Sequence, residues 1–274
     1  HESFCTPQTS HSAPFPLSPA DRQILADTAM NYRVMDIPRF YQAAPSYHHK
    51  AVGGYHAAKL TRYQDLIDRH LSHFTSGQVT EADIEVLNML NAKYIIGPDG
   101  EVTLNPGALG NAWFVDSVKF VDGADAEMNA LQTLDPAHTA VADTRFSPAL
   151  DDAARPKTPG DTIYETTYAP DRLTYRTRSA HGGLAVFSEV FFPWGWECLI
   201  DGKPAPIGRV NYLLRAVAIP SGEHTVSMEF RPASVSRTVT AATLAVYAIY
   251  ILLLAAIILG LSRPMKTSDN EPIG

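Results

Sequence analysis

The sequence predicts an α+β protein in three parts: an N-terminal mixed α/β region, a C-terminal antiparallel β-sandwich, and one transmembrane helix. Residues 18–147 alternate between helical and strand patterns, which favours a mixed α/β region. Residues 161–232 contain short apolar runs separated by turn residues, a pattern typical of a sandwich. Residues 239–261 carry no charged side chain, so they are predicted to span a membrane.

The first region begins with a helix whose start is marked in the sequence. Ser18 is a favoured N-cap, Pro19 suits the first helical position, and Asp21 places an acid in the first turn. A second capped helix is predicted over residues 80–90, with Thr80 as its N-cap. The other predicted elements are a helix over 57–74, a short helix over 124–134, and strands over 31–37, 93–96, 101–104, 111–120 and 139–142.

The middle of the chain is predicted to contain a domain boundary. Residues 148–160 are rich in Pro, Asp and Ala, and they are expected to link two domains, residues 18–147 and residues 161–232. Residues 1–17 are predicted to form a further linker, and residues 262–274 a tail beyond the membrane helix. The strands of the second domain are predicted over residues 163–169, 172–179, 184–192, 196–200, 213–219 and 224–230.

The apolar run over residues 239–261 has the length of a membrane span. As a helix it is about 34 Å long, enough for a hydrocarbon core of about 30 Å. A buried core helix is the alternative, but core helices rarely extend so far without a polar face. Basic residues flank both ends of the run, so the charge pattern does not orient the helix. The chain starts with no Met and no apolar leader, from which we expect a fragment of a longer membrane protein.

The net charge of the chain narrows the range of binding partners. The net charge of −7 argues against a nucleic-acid partner, because binding phosphates requires a basic surface.

The chain has two cysteines, Cys5 and Cys198, which fit no metal-ligand spacing. Two free thiols are favoured, and a disulfide between them stays open. Cysteine usage therefore does not decide the redox compartment.

Residues 47–63 concentrate histidine, cationic and tyrosine side chains around Gly53-Gly54. Lys59 and Arg62 lie one turn apart near a predicted helix start, an arrangement that favours an anionic head group. A zinc site is disfavoured, because the histidines do not match a ligand spacing that includes a catalytic Glu. Ordinary packing or surface exposure stays open as the alternative. The residues predicted here to bind substrate are His48, His49, Lys50, Tyr55, His56, Lys59 and Arg62.

Trp194 is the other residue predicted to bind substrate, because an exposed aromatic ring can stack on a sugar. Positions two apart on a strand face the same side, so Trp194 and Trp196 would be equivalent on a regular strand. We expect Gly195 to bend the chain, which places Trp196 in the core and leaves Trp194 exposed.

The sequence contains no recognisable catalytic centre. Paired carboxylates can hydrolyse glycosides, but Asp65, Asp68, Asp83 and Glu85 lie on predicted polar helix faces, where we expect them to be solvated. The chain lacks a nucleophile elbow, a P-loop and a dinucleotide-binding fingerprint. No catalytic residue and no metal ligand is therefore assigned.

Several longer strings carry a resemblance to a known family. They include residues 20–25 with 31–34, the segment 47–66, residues 88–96, residues 105–115, and residues 196–203 followed by 211–216 and 220–224. Together they resemble the C-terminal region of the YfhO family of bacterial multispanning membrane proteins, in particular members from Bacteroidota. The resemblance covers most of residues 18–262. Trp194 departs from the family pattern, in which a non-aromatic residue is expected before the matching Gly-Trp.

The resemblance implies a membrane glycosyltransferase of the GT-C type. Such an enzyme takes sugars from polyprenyl-phosphate donors outside the cytoplasmic membrane and glycosylates cell-envelope polymers. This chain would be the extracytoplasmic C-terminal domain and the last membrane helix, with residues 262–274 as a cytoplasmic tail. The catalytic acid of that fold class lies on an early loop outside this chain, so the fragment is not expected to be catalytic alone.

The resemblance also implies partners and leaves an alternative open. The expected partners are the lipid bilayer of the bacterial cytoplasmic membrane, a polyprenyl-phosphate sugar donor and an envelope glycan acceptor. No cofactor is expected in the fragment, and a divalent metal in the full-length protein stays open. The alternative is a non-catalytic, membrane-anchored envelope protein that binds a glycan or another protein.

Overall fold

The structure, a computed structural model, describes residues 15–261. The chain divides into two units, a compact unit up to Phe230 and a second unit from Arg231. Helices and strands are mixed, the larger sheets are antiparallel, and the second unit contains one long apolar helix. These features confirm the predicted α+β class. Residues 1–14 and 262–274, which include Cys5 and most of the predicted N-terminal linker, lie outside the described residues.

The N-terminal elements form a small three-stranded sheet with helices packed beside it. The strand order is β1-β2-β3, with β1 parallel to β2 and β2 antiparallel to β3. The elements are α1 (Pro19–Leu25), β1 (Arg33–Asp36), α2 (Ala44–His48), α3 (Thr61–Leu66), α4 (His73–Ser76), α5 (Glu81–Met89), β2 (Ala92–Ile96) and β3 (Val102–Leu104).

The two predicted helix starts are confirmed in atomic detail. The Ser18 hydroxyl accepts from the Asp21 amide, and the Asp21 carboxylate accepts from the Ser18 amide at 2.8 Å. Thr80 and Asp83 form the same reciprocal capping box at the start of α5. Each box satisfies two amides that a helix start would otherwise leave unpaired.

The single helix predicted over residues 57–74 is interrupted. Residues 53–60 are not helical, α3 starts at Thr61, and a π-helical turn over Ile67–Leu71 separates α3 from α4. A π turn adds one residue and rotates the face of a helix that points inward. Here Ile67, His70 and Leu71 of that turn are all buried.

The single strand predicted over residues 111–120 is two strands in different sheets. The first, β4 (Ala112–Val115), pairs antiparallel with a sandwich strand, and the second, β5 (Ser117–Val121), pairs parallel with β6 (Thr139–Asp143). A helix, α6 (Gly123–Ala130), connects β5 to β6, and a short helix, α7 (Ser147–Leu150), follows β6.

The predicted β-sandwich is confirmed. Its strands are β7 (Thr162–Ala169), β8 (Arg172–Ser179), β9 (Gly183–Val190), β10 (Trp196–Ile200), β11 (Lys203–Ala205), β12 (Gly208–Val210), β13 (Leu214–Ile219) and β14 (Gly222–Phe230). Five form one sheet in the order β11-β10-β14-β8-β7, and β12-β13-β9-β4 form the other. Phe114 and Phe187 of the second sheet share a buried cluster with Tyr175 and Val226 of the first.

The four-stranded sheet is a middle layer, because its two faces belong to different cores. Along β4, Ala112 and Phe114 belong to the core between the two sheets, whereas Trp113 and Val115 belong to a second core shared with the N-terminal helices. Strand alternation produces this division. The layers are therefore the five-stranded sheet, the four-stranded sheet, and the N-terminal α/β elements.

This arrangement differs from the predicted division into two domains. Strand β4 comes from residues 18–147, yet it pairs with β9, so the two predicted domains share one sheet. The predicted linker over residues 148–160 is also anchored, because Leu150 is fully buried. Leu150 packs directly against Gly208, since a Cβ added to Gly208 would lie 2.6 Å from the leucine side chain. Residues 148–160 therefore lie within one compact unit.

The second unit contains α8 (Ala233–Leu261), which starts six residues before the predicted position Val239. Its 29 residues correspond to about 44 Å of helix. Within residues 15–261, it is the one helix long and apolar enough to cross a membrane. Its large apolar side chains are exposed, as in Leu252 and Leu259.

Replacing Phe114 by Ala tests the position of β4 inside the sandwich. Phe114 is 5% exposed. Because Phe114→Ala would leave a cavity between the two sheets, we expect the free energy of unfolding to fall by about 3–5 kcal/mol. Leu104→Ala on the exposed side of β3 is the control, with an expected loss of about 0.5 kcal/mol or less. Urea unfolding measures both, and a loss below about 1 kcal/mol for Phe114→Ala would contradict the fold.

Candidate functional site

The charged side chains predicted to bind substrate separate into different interactions. His49 approaches Asp21, Lys50 joins a network with the sandwich, and Arg62 lies on Tyr212. Tyr55 and His56 are exposed on the loop between Lys50 and Arg62. The structure therefore brings the segment together along the backbone but does not gather its cations into one anion site.

His49 is a structural residue beside α1. Its Nε2 lies 2.9 Å from Asp21 Oδ1, and its side chain is only 2% exposed. The same carboxylate accepts hydrogen bonds from the Arg39 guanidinium and the Ser18 amide. Burial alone would raise the pKa of Asp21, but the hydrogen bonds from Arg39 and Ser18 hold that pKa well below its usual range. His49 is therefore enclosed rather than presented to a ligand.

Lys50 belongs to a polar network that connects the N-terminal elements to the sandwich. Its ammonium donates to Asn31 Oδ1 at 2.8 Å and lies 3.0 Å from the centre of the Tyr168 ring. The Asn31 amide donates to Glu165 at 3.1 Å and to Glu189 at 3.2 Å. We call these five residues the Lys50 network.

The Lys50 network contains two titratable groups with opposite pKa shifts. Burial lowers the pKa of Lys50 to about 8, against the opposing effect of Glu189 and Glu165. Burial raises the pKa of Glu165, and the neighbouring carboxylate of Glu189 adds to that shift. The amine is therefore a weaker base, and the carboxyl a weaker acid, than in water. Both groups bond to the side chain of Asn31.

Arg62 is balanced by a buried acid. Its guanidinium lies 4.4 Å from the Tyr212 ring centre, and Nη1 lies 3.6 Å from Glu127 Oε2. Glu127 is fully buried and also accepts from Arg209 at 2.7 Å. Asn211 and Tyr212, with φ of 50° and 68°, are both left-handed, a strained conformation for two successive side-chain-bearing residues. In this backbone conformation the Tyr212 amide donates a hydrogen bond to the Glu127 carboxylate.

The remaining predicted residues of the segment lie on or near the loop over residues 53–60. Tyr55 is 73% exposed, and the exposed His56 accepts a hydrogen bond from the Ala58 amide. Lys59 donates to the Gly54 carbonyl at 3.0 Å, which curls its side chain back over the loop. His48 is half-buried, and its Nε2 is enclosed without a partner among the described residues.

Gly53 and Gly54 hold this loop against the start of α2. The Gly54 amide donates to the Phe40 carbonyl, and a Cβ on Gly53 would lie 2.3 Å from that same oxygen. A Cβ on Gly54, where φ is +109°, would lie 2.5 Å from Ser46 Oγ. Only glycine allows so close an approach of two backbone segments.

This contact brings together chain segments that carry exposed tyrosines. Tyr41 is 56% exposed, Tyr47 is 57% exposed, and Tyr55 is the most exposed of the three. Tyr41 precedes α2, Tyr47 lies within it, and Tyr55 follows the Gly54 contact directly. We call Tyr41, Tyr47 and Tyr55 the tyrosine surface. Each of these side chains combines an exposed apolar ring with a polar hydroxyl, which is the chemistry that contacts a sugar ring.

Trp194 belongs to a different group of rings on the sandwich. It is 69% exposed and lies 5.3 Å from Phe192, centre to centre. Trp196 was predicted to be in the core but is half-buried, with the Arg215 guanidinium 3.9 Å from its ring centre and Phe230 on the neighbouring strand. Gly195, with φ of +99°, provides the expected bend between the two tryptophans.

The prediction that the acidic side chains of the first helices are solvated is wrong for Asp83. That residue is 1% exposed and lies 2.8 Å from His70 Nδ1 and 2.9 Å from His73 Nδ1. Asp68 is exposed as predicted, whereas Asp65 accepts a hydrogen bond from the Tyr212 hydroxyl. A carboxylate that orients an imidazole is typical of catalytic sites, but His70 is fully buried, so no substrate reaches it.

Metal ligation finds no support in the part of the chain that the structure describes. Residues 15–261 contain no group of three or more His, Cys, Asp or Glu side chains arranged to hold an ion. No protein-family model, no curated protein and no solved structure matches the chain. The resemblance to the YfhO family therefore stays a prediction.

The Lys50 network predicts a pH dependence of stability. The pKa of Lys50 is about 8 in the folded chain and about 10.4 in an unfolded chain. In that interval the unfolded chain binds the proton that the folded chain has lost, so stability rises with pH. The cost of the buried ammonium is thus present below about pH 8 and disappears towards about pH 10.

Lys50→Met removes this titration. We expect the free energy of unfolding of the wild type to rise relative to that of Lys50→Met as the pH rises from about 8 to about 10. Urea unfolding measures both free energies. The exposed Lys119→Met is the matched control and should follow the wild type. A constant difference between wild type and Lys50→Met over this range would show that the Lys50 ammonium is not desolvated.

Proposed function

We propose that this chain is the extracytoplasmic C-terminal domain and last membrane helix of a glycosyltransferase in a bacterial cytoplasmic membrane. The enzyme would transfer sugars from a polyprenyl-phosphate donor to an envelope glycan. In this proposal the chain contributes a sugar-contacting surface, and the catalytic acid comes from a part of the protein outside the chain. The observation that carries the proposal is the tyrosine surface.

Three properties support a sugar contact at the tyrosine surface. Its rings are exposed by more than half, although burying them would remove apolar area from water. Tyrosine has few rotatable bonds, so it binds at a small cost in side-chain entropy. His56 and Lys59 lie on the same loop as Tyr55 and supply polar groups for sugar hydroxyls.

The charges of the segment favour contact with the sugar over contact with the phosphate. Lys50 is desolvated on Tyr168, and Arg62 is paired with Glu127. A phosphate would have to compete with these partners for either cation. Lys59 donates to the Gly54 carbonyl, and among the described residues it has neither an acidic partner nor an aromatic ring beneath its ammonium, so it is the candidate for a phosphate at the edge of the surface.

Helix α8 supports the membrane part of the proposal. Its length exceeds the thickness of a hydrocarbon core, and its exposed apolar side chains suit a nonaqueous environment. A charged residue does not occur after Arg237 in the helix. A domain held by such a helix stays at the membrane surface, where a lipid-linked sugar is also confined.

Removing two rings of the tyrosine surface tests the sugar contact. One aromatic contact is worth about 0.5–1.5 kcal/mol, so Tyr47→Ala with Tyr55→Ala should lower sugar transfer by about tenfold. The assay uses the full-length protein in nanodiscs with polyprenyl-phosphate glucose, galactose or N-acetylglucosamine and envelope polysaccharide as acceptor. Tyr164→Ala, which removes an exposed tyrosine from β7, is the matched control.

The outcomes separate the proposal from its alternative. Full transfer activity in a folded Tyr47→Ala, Tyr55→Ala variant contradicts the sugar contact. A full-length protein that transfers no sugar, yet binds envelope polysaccharide through Tyr47 and Tyr55, is instead a membrane-anchored glycan-binding protein. Because both side chains are exposed, the double variant should keep its free energy of unfolding within about 1 kcal/mol.

Labelling of Ser221→Cys in cells tests the orientation. Ser221 is exposed in the turn between β13 and β14, so a thiol there should react with a membrane-impermeant maleimide in cells with a permeabilised outer membrane. Cys5→Ser removes one background thiol. Cys198 does not compete, because it is buried and burial raises its pKa to about 12. Labelling that requires lysis of the inner membrane would place the domain in the cytoplasm.

A further inference from the structure

Aromatic rings cluster at the end of the sandwich from which the chain leaves for α8. Phe192 lies 5.3 Å from Trp194 and 6.4 Å from Phe230, and Phe230 lies 5.3 Å from Trp196, all measured between ring centres. Phe230 is the last residue of β14 and pairs with Trp196, the first residue of β10. The cluster is thus built on paired strands.

The most exposed ring of the cluster is held on a short, uncharged loop. We define the Trp194 loop as residues 191–195, which contain no charged residue. The Phe191 amide donates to the Leu213 carbonyl at one end, and Gly195 bends the loop at the other. Beside the loop, an apolar cleft of about 500 Å³ runs to Pro204 and Pro206. An indole, with its apolar body and polar N–H, suits a boundary between an apolar and an aqueous environment.

The polypeptide itself limits how far this cluster can be from the bilayer. Only Arg231 and Pro232 separate Phe230 from the first residue of α8, a span of about 11 Å at most. The uncharged run begins at Val239, six helical residues later, which adds about 9 Å. Phe230 is therefore within about 20 Å of the hydrocarbon edge. Tryptophan collects in the head-group layer just outside that edge.

We propose that the Trp194 loop inserts into the head-group layer of the bilayer that α8 spans. The inference rests on the membrane span in the proposed function, but it adds a second point of attachment. One helix joined by a short connection lets a domain tilt, whereas a second contact beside it fixes which face of the domain points outward. Trp194 is thereby assigned to lipid rather than to the sugar for which the sequence suggested it.

The two ends of the five-stranded sheet provide an internal control. The Trp194 loop and Phe230 lie at one end, where β10 begins and β14 finishes. Tyr164 is near the start of β7, whose register with β8 and β14 places it towards the other end, near Thr225. Tyr164 is 58% exposed, which is similar to Trp194. The two residues thus differ in position along the sheet more than in exposure.

Fluorescence quenching in liposomes tests the contact. The full 274-residue chain with Cys5→Ser is labelled with bimane at Trp194→Cys, at Tyr164→Cys or at Leu254→Cys within α8. Phosphatidylcholine carrying a nitroxide on the head group or on the acyl chain is the quencher. We expect head-group nitroxide to quench the label at position 194 about threefold more than the label at position 164. Acyl-chain nitroxide should quench position 254 most strongly.

Each outcome decides one claim. Strong quenching at 254 with equal, weak quenching at 194 and 164 overturns the lipid contact and leaves the membrane span intact. Weak acyl-chain quenching at 254 overturns the span itself. A label at 194 that is shielded from aqueous iodide but not quenched by lipid nitroxide is covered by protein or glycan, which also overturns the lipid contact. All three labelled positions are exposed, so the substitutions should leave the fold intact.

Discussion

The pairing of β4 with β9 is the contact on which the rest of the domain depends. Both strands are buried on both faces, so the sheet that contains them separates two cores instead of covering one. Antiparallel sheets usually leave one face to solvent, and a sheet covered on both sides requires near-continuous apolar strands. The runs Ala112–Val115 and Leu184–Phe187 meet that requirement. Without β4, the sandwich would lose an edge strand and the N-terminal elements would lose the surface on which they pack.

Buried charges follow from this layering. Where the N-terminal elements meet the sandwich, polar side chains from distant parts of the chain have to satisfy one another. Asn31 bonds to Glu165 and Glu189 across the layers, and Arg62 and Arg209 converge on Glu127. Removing such charges from water costs free energy that offsets much of their attraction. We therefore hypothesise that these contacts fix the orientation of the layers more than they stabilise the domain. These cations are consequently committed to the fold, and the surface left for a ligand is aromatic.

Local features of the fold could be predicted from the sequence, and long-range ones could not. Both capping boxes and the strands Arg172–Ser179 and Trp196–Ile200 depend on neighbouring residues, and they are where the sequence predicts them. The domain boundary was misplaced because β4 is separated from β9 by about 70 residues, and periodicity does not reveal such a pairing. The separate interactions of the cations predicted to bind substrate could not be predicted for the same reason. Lys50 and Arg62 are close to Lys59 in sequence. Their aromatic partners, Tyr168 and Tyr212, lie more than a hundred residues away, and periodicity does not indicate their other partners, Asn31 and Glu127.

The function proposed for this domain requires its layers to behave as one body, so that a ligand on the tyrosine surface is held in a fixed relation to the sandwich. Native-state hydrogen exchange measured by mass spectrometry tests this claim most directly. The account predicts that peptides covering β1, β4 and β14 open with the same free energy and the same denaturant dependence, because one cooperative unit contains all three strands. Opening of β1 and β4 at a clearly lower free energy, with β14 still protected, would contradict it and would restore two independent domains.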